Sequence, residues 1–218
     1  MRPPFTIEQF FDVFASYNEA VWPGQPLLLL LGICALFLAQ TRSTRGSVVV
    51  AWILAFLWAW MGIAYHFMQF TGINSAAWLF GVLFLAQAGL FASCALSRGR
   101  LLFKRPGPGD TAVGLALAVY ALAIYPIFNQ LTGHAYMASP TFGAPCPTTI
   151  LTVGLLFLAR RPFPRYLLAV PLFWSVVGGS AAFTLGVLQD LGLVVAGLAG
   201  VWLLFRLRPR TMARTELV

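Results

Sequence analysis

The sequence predicts an all-α integral membrane protein, a bundle of seven transmembrane helices preceded by a short amphipathic helix at the membrane interface. Hydrophobic residues fill 60% of its 218 positions and charged residues only 9%, whereas about a quarter of the residues in soluble domains are charged. The mean hydropathy is correspondingly high, at +0.83. Several apolar runs approach the roughly 20 residues that an α-helix needs to cross a bilayer. These properties exclude an ordinary soluble domain.

The first element is predicted to be a short amphipathic helix between Thr6 and Glu19. Thr6 and Gln9 have the spacing of a capping box, which marks a helix start. Aromatic residues then recur at helical spacing, opposite an acidic and polar face: Phe10, Phe11, Phe14 and Tyr17. A helix of this kind lies in the membrane interface. We therefore expect residues 1–24 to form an N-terminal interfacial segment that ends at Trp22-Pro23-Gly24.

Seven apolar segments follow and are predicted to span the membrane within a domain covering residues 25–206. The fifth is short and is expected to gain length from the irregular chain before it. Residues 207–218 are predicted to form a basic cytoplasmic tail. The predicted spans are 25–40, 47–69, 76–97, 111–132, 147–159, 166–187 and 190–206.

Basic residues occur in every second connection between these spans. Four segments, 42–45, 98–105, 160–165 and the tail from 206, contain 13 of the 14 lysines and arginines. Cytoplasmic connections are enriched in such residues. The pattern therefore predicts an external N-terminus and a cytoplasmic C-terminus. The net charge of +8 is a topology signal on this interpretation and does not indicate nucleic-acid binding.

Polar residues concentrate toward the predicted outer side. Because polar groups are costly in lipid, they normally face the bundle interior. We therefore expect an outward-facing cavity between the second, fourth, fifth and seventh spans, roofed by the loop that contains His134. The candidate ligand-binding residues are Trp58, Tyr65, His66, Asn129, His134, Cys146, Thr148 and Asp190.

Four of these candidates also have plainer interpretations, and that of His134 is an ordinary surface or loop residue. His66 is equally explained as a hydrogen-bonded packing residue, and Asp190 as the N-cap of the last helix. Cys146 stands in Pro145-Cys146-Pro147, where the prolines favour the start of a helix, and a buried cysteine is often inert. Imidazole and thiol ligands suit copper or zinc, so His66, His134 and Cys146 are candidate metal ligands. None has the tight spacing of a specific metal site.

Three functional hypotheses remain open. The first is a membrane protein that binds or transports a small solute or a metal ion in the outer cavity. The second is an accessory or scaffold subunit of a larger membrane complex, because the inner half lacks the polar lining of a solute pathway. The third is an enzyme that uses Cys146 with a histidine, although no motif establishes catalysis. The expected partners are membrane lipid, the solute or metal, a second copy or a complex subunit.

Five segments carry a resemblance to a known family. The chain resembles a bacterial family of multi-pass membrane proteins, domain of unknown function 6064, over nearly its whole length. The resemblance implies a multi-pass membrane protein, with a location in the bacterial inner membrane, and no particular activity. The segments are FTIEQFFDVFASYNEAVWP (5–23), WAWMGIAYHF (58–67), INSAAWLFG (73–81), PTFGAPCPTTI (140–150) and VGGSAAFTLGVLQDLGL (177–193).

Overall fold

The computed structural model of the protein describes residues 4–104, 106–131 and 138–207, with the side chains of 129–131 left aside. Over these residues the regular structure is helical. Helix α3 continues as a π-helix over Met61–Phe67 and α5 as a π-helix over Tyr120–Ile124. The helices are α1 (Ile7–Val21), α2 (Gly24–Gln40), α3 (Thr44–Trp60), α4 (Ala77–Leu96), α5 (Pro108–Val119), α6 (Tyr125–Leu131), α7 (Pro145–Leu158), α8 (Ala169–Thr184) and α9 (Leu191–Arg206).

Each predicted span corresponds to a helix or a continuous helical run, but fewer than seven qualify as membrane spans. Among the described residues, five helical runs are long and apolar enough to cross a membrane. Helices α1 and α2 would add a sixth only as one broken span, bent by 89°. The protein is thus a helical membrane protein with five or six candidate spans. The five are Thr44–Gly72, Ala77–Leu96, Pro108–Phe128, Arg165–Thr184 and Leu188–Arg206.

The predicted fifth span is a short helix enclosed by the others. Helix α7 has 14 residues and all of them are buried. At about 1.5 Å per residue it extends about 21 Å, less than the roughly 30 Å of a hydrocarbon core. It packs chiefly on α5, α9 and α8. Gly114 and Gly154 allow the close approach of α5, because a Cβ on either would meet the other's carbonyl oxygen at 2.8–2.9 Å.

The basic connections meet at one end of the bundle. The Arg160 N–H donates to the Leu102 carbonyl at 2.6 Å, and the Arg165 side chain donates to the Leu207 carbonyl at 3.0 Å. Asp110, in the first turn of α5, forms ion pairs with Arg161 and Arg206. This buried carboxylate therefore ties α5 and α9 to the connection that follows α7.

Helix α1 packs its aromatic face on protein, not on lipid as the interfacial interpretation implied. The capping box at Thr6 and Gln9 is present as predicted. However, the aromatic face is buried against the ends of α3 and α7 in a small core of its own. The amphipathic pattern identified the helix correctly, but hydropathy does not distinguish an apolar protein surface from a membrane. The buried residues of α1 are Phe10, Val13, Phe14, Tyr17 and Asn18.

Candidate functional site

A cavity of about 190 Å³ lies under α1, at the end of the bundle opposite the basic connections. Its walls come from α1, the π-helical end of α3, the start of α4, the start of α7 and α8 from Trp174 onward. Aromatic side chains form most of the lining: Phe5, Phe10, Phe14, Tyr65, Phe70, Phe80 and Trp174. Polar groups occur mainly at one end, with Cys146 and Asp190, and at the mouth, with Asn74, Ser180 and Thr184.

The π-helix at the end of α3 brings two adjacent polar residues into the interior. Hydrogen bonds from i to i+5 widen the turn, so successive side chains are separated by a smaller angle than in an α-helix. Tyr65 and His66 are consequently both buried although they are neighbours in sequence. The Tyr65 ring stacks with Phe14 of α1 at a centroid distance of 5.5 Å. This contact links the wall of the cavity to its roof.

Helix α7 begins at the cavity after a buried, irregular segment. Irregular backbone is tolerated at membrane depth only where protein or a cavity surrounds it. The side chain of Asn18 supports this segment, since its amide donates to the Ser139 carbonyl at 2.8 Å and its carbonyl accepts from the Thr141 hydroxyl at 2.7 Å. Pro145 and Pro147 occupy the first turn of α7 and carry no N–H. The helix start therefore lacks two of the backbone donors with which such termini bind anions.

Asp190 supplies the carboxyl group at the inner end of the cavity. It is only 1% exposed, and its Oδ1 accepts a hydrogen bond of 2.6 Å from the Tyr125 hydroxyl. The Cys146 thiol is close enough to the same carboxyl for a side-chain hydrogen bond. Asp190 occupies the N-cap position of α9, yet its side chain makes no capping hydrogen bond. The plainer interpretation of Asp190 as a cap is therefore wrong for its side chain.

His66 is enclosed by aromatic rings behind the cavity wall. Its ring centroid lies 4.5 Å from that of Phe84 and 5.1 Å from that of Trp174. Neither ring nitrogen has a hydrogen-bond partner in the described part of the chain. His66 is thus neither the hydrogen-bonded packing residue of the plainer interpretation nor paired with the Cys146 thiol. The indole of Trp174 lines the cavity and contacts both His66 and Cys146.

The structure brings three of the eight candidate residues to the cavity: Tyr65, Cys146 and Asp190. Trp58 and Thr148 lie elsewhere in the core; the Trp58 indole donates to the Thr152 hydroxyl at 3.1 Å. The side chain of Asn129 and all of His134 fall outside the described residues. Helix α1 covers the cavity, and the loop around His134 that was predicted as its roof lies outside the described residues. The fourth predicted span, which corresponds to α5 and α6, was expected to line the cavity. It contributes only Tyr125, which contacts Asp190 from outside the lining. Helices α4 and α8 form walls that were not predicted.

The described residues offer little for a metal ion. No group of three His, Cys, Asp or Glu side chains lies close together within ranges 4–104, 106–131 and 138–207. Of the three proposed ligands, His66 and Cys146 are not joined by a hydrogen bond. His134 lies outside those ranges. What the cavity does provide is one carboxyl, one thiol and a set of aromatic faces.

Sequence reasoning missed the aromatic walls of the site. The chain contains 19 phenylalanines, so no single one is recognisable as part of a site. Phe70 and Phe80 stand in apolar runs that are typical of membrane helices. One signal was available. Tyr17 lies on the same face of α1 as Phe10 and Phe14, and its hydroxyl needs a polar partner when it is buried. This need indicates that the face packs on protein. In the structure the hydroxyl donates to the Gly143 carbonyl at 3.1 Å.

Comparison with known proteins yields one match. A family model described as "Family of unknown function (DUF6064)" matches residues 7–215, which include every helix described above. Neither the curated proteins nor the solved structures gave a match.

Proposed function

Because the chain belongs to the family of unknown function DUF6064, we propose its function from its own cavity: it is a membrane protein that binds a small solute with an apolar or aromatic body and one amine or hydroxyl group. The observation that carries this proposal is the position of Asp190. A buried carboxyl, paired with no cation among the described residues, stands at the end of an aromatic cavity.

The size of the cavity supports a small occupant. Its volume of about 190 Å³ exceeds the roughly 150 Å³ of a cavity that accommodates benzene. Pockets for drug-sized ligands start at about 300 Å³. A molecule with one aromatic ring and a short substituent therefore fits, whereas a larger ligand requires α1 to move.

The chemistry of the lining supports a donor or a cation at one end. Tyr125 donates a hydrogen bond to Asp190, and the Cys146 thiol lies close to the same carboxyl, so the carboxyl is placed as an acceptor. Aromatic faces such as those of Tyr65 and Trp174 attract cations as well as apolar groups. An amine on an aromatic body would satisfy both features. An anionic solute is disfavoured, because the carboxyl repels it and the two prolines of α7 remove two of the backbone donors at the helix start.

Binding is better supported than passage through the membrane. Below the cavity, the described core is filled by Trp58, Phe84 and the fully buried helix α7. Transport of the solute would require this packing to open. We therefore propose a solute-binding role first and transport as an extension of it.

The experiment uses three ligands of one size and two matched variants. Purified protein in detergent is titrated with benzylamine, benzyl alcohol and toluene while its thermal unfolding is followed. We expect benzylamine to raise the melting temperature most. In Asp190→Asn, which keeps the side-chain shape, affinity for benzylamine should fall by about tenfold or more, the worth of a charge-assisted hydrogen bond. In Asp12→Asn, an exposed acid of α1 that does not line the cavity, affinity should be unchanged.

The outcomes separate the possibilities. Equal stabilisation by all three ligands would show an apolar cavity without polar recognition and would remove Asp190 from the proposal. Loss of benzylamine binding in both variants would assign the effect to surface charge. No stabilisation by any ligand would refute the proposed function.

The accessory-subunit hypothesis has one supporting feature, a groove of about 320 Å³ between α8 and α9. Small residues on its floor, Ser175, Gly179 and Gly197, would let another helix approach closely. Native mass spectrometry in mild detergent tests this second candidate. A stable heteromeric partner would support it, and a monomer that binds benzylamine would favour the solute-binding function.

We also propose that the basic end of the bundle faces the cytoplasm of a bacterium and the cavity faces outward. The support is the gathering of the basic connections at one end. Reporter fusions after residue 207 and before residue 6 test this orientation. Cytoplasmic activity of the first fusion and external activity of the second are expected, and the reverse pattern would overturn the assignment.

A further inference from the structure

A second, basic cleft lies at the opposite end of the bundle. It has a volume of about 60 Å³, and α2, α5 and the end of α7 surround it. Such a space suits one small polar group and is far below the size of a solute pocket. The residues that define it are Gln40, Arg42, Lys104 and Thr111 at the sides, with Ala39 and Leu158 as apolar floor.

The electrostatics of the cleft favour a doubly or singly charged anion. Arg42 and Lys104 form no ion pair within the part of the chain that the structure describes. The nearby acid, Asp110, is already committed, since one of its oxygens accepts from Arg161 and the other from Arg206. Helix α5 begins beside the cleft, and its N-cap Gly107 provides no side-chain cap. The positive end of the helix dipole adds to the two cations.

The backbone at Arg42 has a conformation that is unusual for an arginine. Its φ is +59°, a left-handed conformation that glycine adopts without the steric cost borne by other residues. The turn is held on both sides, because the Thr41 hydroxyl donates to the Leu38 carbonyl at 2.7 Å and Ser43 caps α3 by accepting from the Gly46 N–H at 2.8 Å. Arg42 thus occupies a fixed turn at a position where glycine would be conformationally easier.

The surroundings of the cleft identify the source of the anion. On α2, Ile33 and Phe37 precede Gln40 by seven and three residues and so lie on the same side of the helix. Both are exposed, Phe37 by 68%, as expected of a surface in contact with acyl chains. Basic pockets between membrane helices at the basic end are suited to anionic lipid headgroups. We propose that this cleft binds the phosphate group of an anionic phospholipid whose acyl chains lie along α2.

Two glycine variants provide a matched test. Arg98 also has a positive φ, +44°, and stands at the same end of the bundle, but it does not line the cleft. Arg42→Gly and Arg98→Gly therefore remove the same charge and relieve the same kind of backbone conformation. Loss of one surface cation by itself weakens binding of an anionic lipid by about fivefold. Any additional loss of lipid affinity in Arg42→Gly measures the contribution of the cleft to binding.

The measurement is the binding of phosphatidylglycerol to the detergent-purified chain, followed by native mass spectrometry, with phosphatidylcholine of the same acyl chains for comparison. We expect phosphatidylglycerol to bind preferentially, and Arg42→Gly to weaken it at least about tenfold more than Arg98→Gly, as loss of a charge-assisted phosphate contact implies. Lys104→Gln should act in the same direction as Arg42→Gly. Thermal unfolding should show that neither glycine variant is less stable than the parent.

Soluble glycerol 3-phosphate distinguishes the two sources of a phosphate group. Binding of the lipid with no competition from millimolar glycerol 3-phosphate supports a lipid site that includes the chains. Full competition would assign the cleft to a soluble phosphate ester and overturn the lipid. Equal losses in Arg42→Gly and Arg98→Gly, or equal binding of the two lipids, would overturn the cleft itself.

Discussion

The Tyr125 hydroxyl lies 2.6 Å from Oδ1 of Asp190 and donates a hydrogen bond to it in the protein interior. The two residues are 65 positions apart, so the bond joins the start of α6 to the start of α9. It also fixes the direction in which the carboxyl faces the cavity. The candidate site therefore depends on Tyr125, a residue that does not itself line the cavity.

The first prediction concerns this bond. Tyr125→Phe should lower the free energy of unfolding by about 1–3 kcal/mol, because it leaves a buried carboxyl oxygen without its donor. Tyr120→Phe is the matched control. It removes a hydroxyl that donates to the Gln189 carbonyl at 2.8 Å at a half-buried position, and should cost about 1 kcal/mol or less. Reversible unfolding in mixed micelles measures both, and a larger loss in Tyr120→Phe would contradict the prediction.

The second prediction concerns the attachment of α1. Asn18→Ala removes two of the hydrogen bonds that hold α1 to the segment before α7, so the roof of the cavity should open more often. We expect faster amide hydrogen exchange in α1 and in residues 139–144, with no change in α4. The exposed Glu19→Ala, one position along the same helix, serves as control. Equal exchange rates in the two variants would show that these bonds do not hold the roof.

The third prediction compares two helical glycines. In Gly114→Ala the new Cβ would meet the Gly154 carbonyl oxygen at 2.8 Å, and since backbone cannot move aside cheaply, unfolding should become easier by about 1–3 kcal/mol. In Gly89→Ala the Cβ meets nothing within 4 Å, so the higher helix propensity of alanine should stabilise by up to about 1 kcal/mol. Thermal unfolding of both variants measures these two changes in stability. Equal effects would mean that α5 and α7 pack less closely than described.

The fourth prediction concerns Asp110. Asp110→Asn leaves Arg161 and Arg206 without their carboxylate and should lower the free energy of unfolding by about 1–3 kcal/mol, the partial exposure of both arginines limiting the loss. A double-mutant cycle with Arg206→Gln should give a coupling energy of about 0.5–2 kcal/mol. A coupling near zero would show that the ion pair contributes nothing to stability.

Much of the helical framework could be predicted because apolar runs and the connections between them are visible in sequence. The start of α7 was predicted at Pro147, and the structure begins it at Pro145 because proline is compatible with the first turn. What composition could not supply is the distinction between protein and lipid as neighbours. Both are apolar, so the sequence did not show that α7 is enclosed by other helices or that the aromatic face of α1 packs on protein.

The candidate site was predictable in the same measure. Tyr65, Cys146 and Asp190 were found because a polar residue in an apolar run has few reasons to be there. Trp58 was selected by the same reasoning and turned out to donate to Thr152 in the core. The aromatic walls were not found, because whether a phenylalanine faces a cavity depends on contacts between distant segments, such as Phe10 with Phe70.

The complete enclosure of α7 has a consequence for mutational tolerance. An ordinary membrane helix accepts substitutions on its lipid side. When every position of such a helix is mutated, tolerant positions therefore recur with the helical period of 3.6 residues. Helix α7 has no such side, since all 14 of its residues are buried. A saturation scan should therefore find 14 consecutive intolerant positions there, while α4 alternates between tolerant residues such as Leu79 and Val82 and intolerant ones such as Phe84. Variation among descendants of this protein should be correspondingly scarce in α7 throughout.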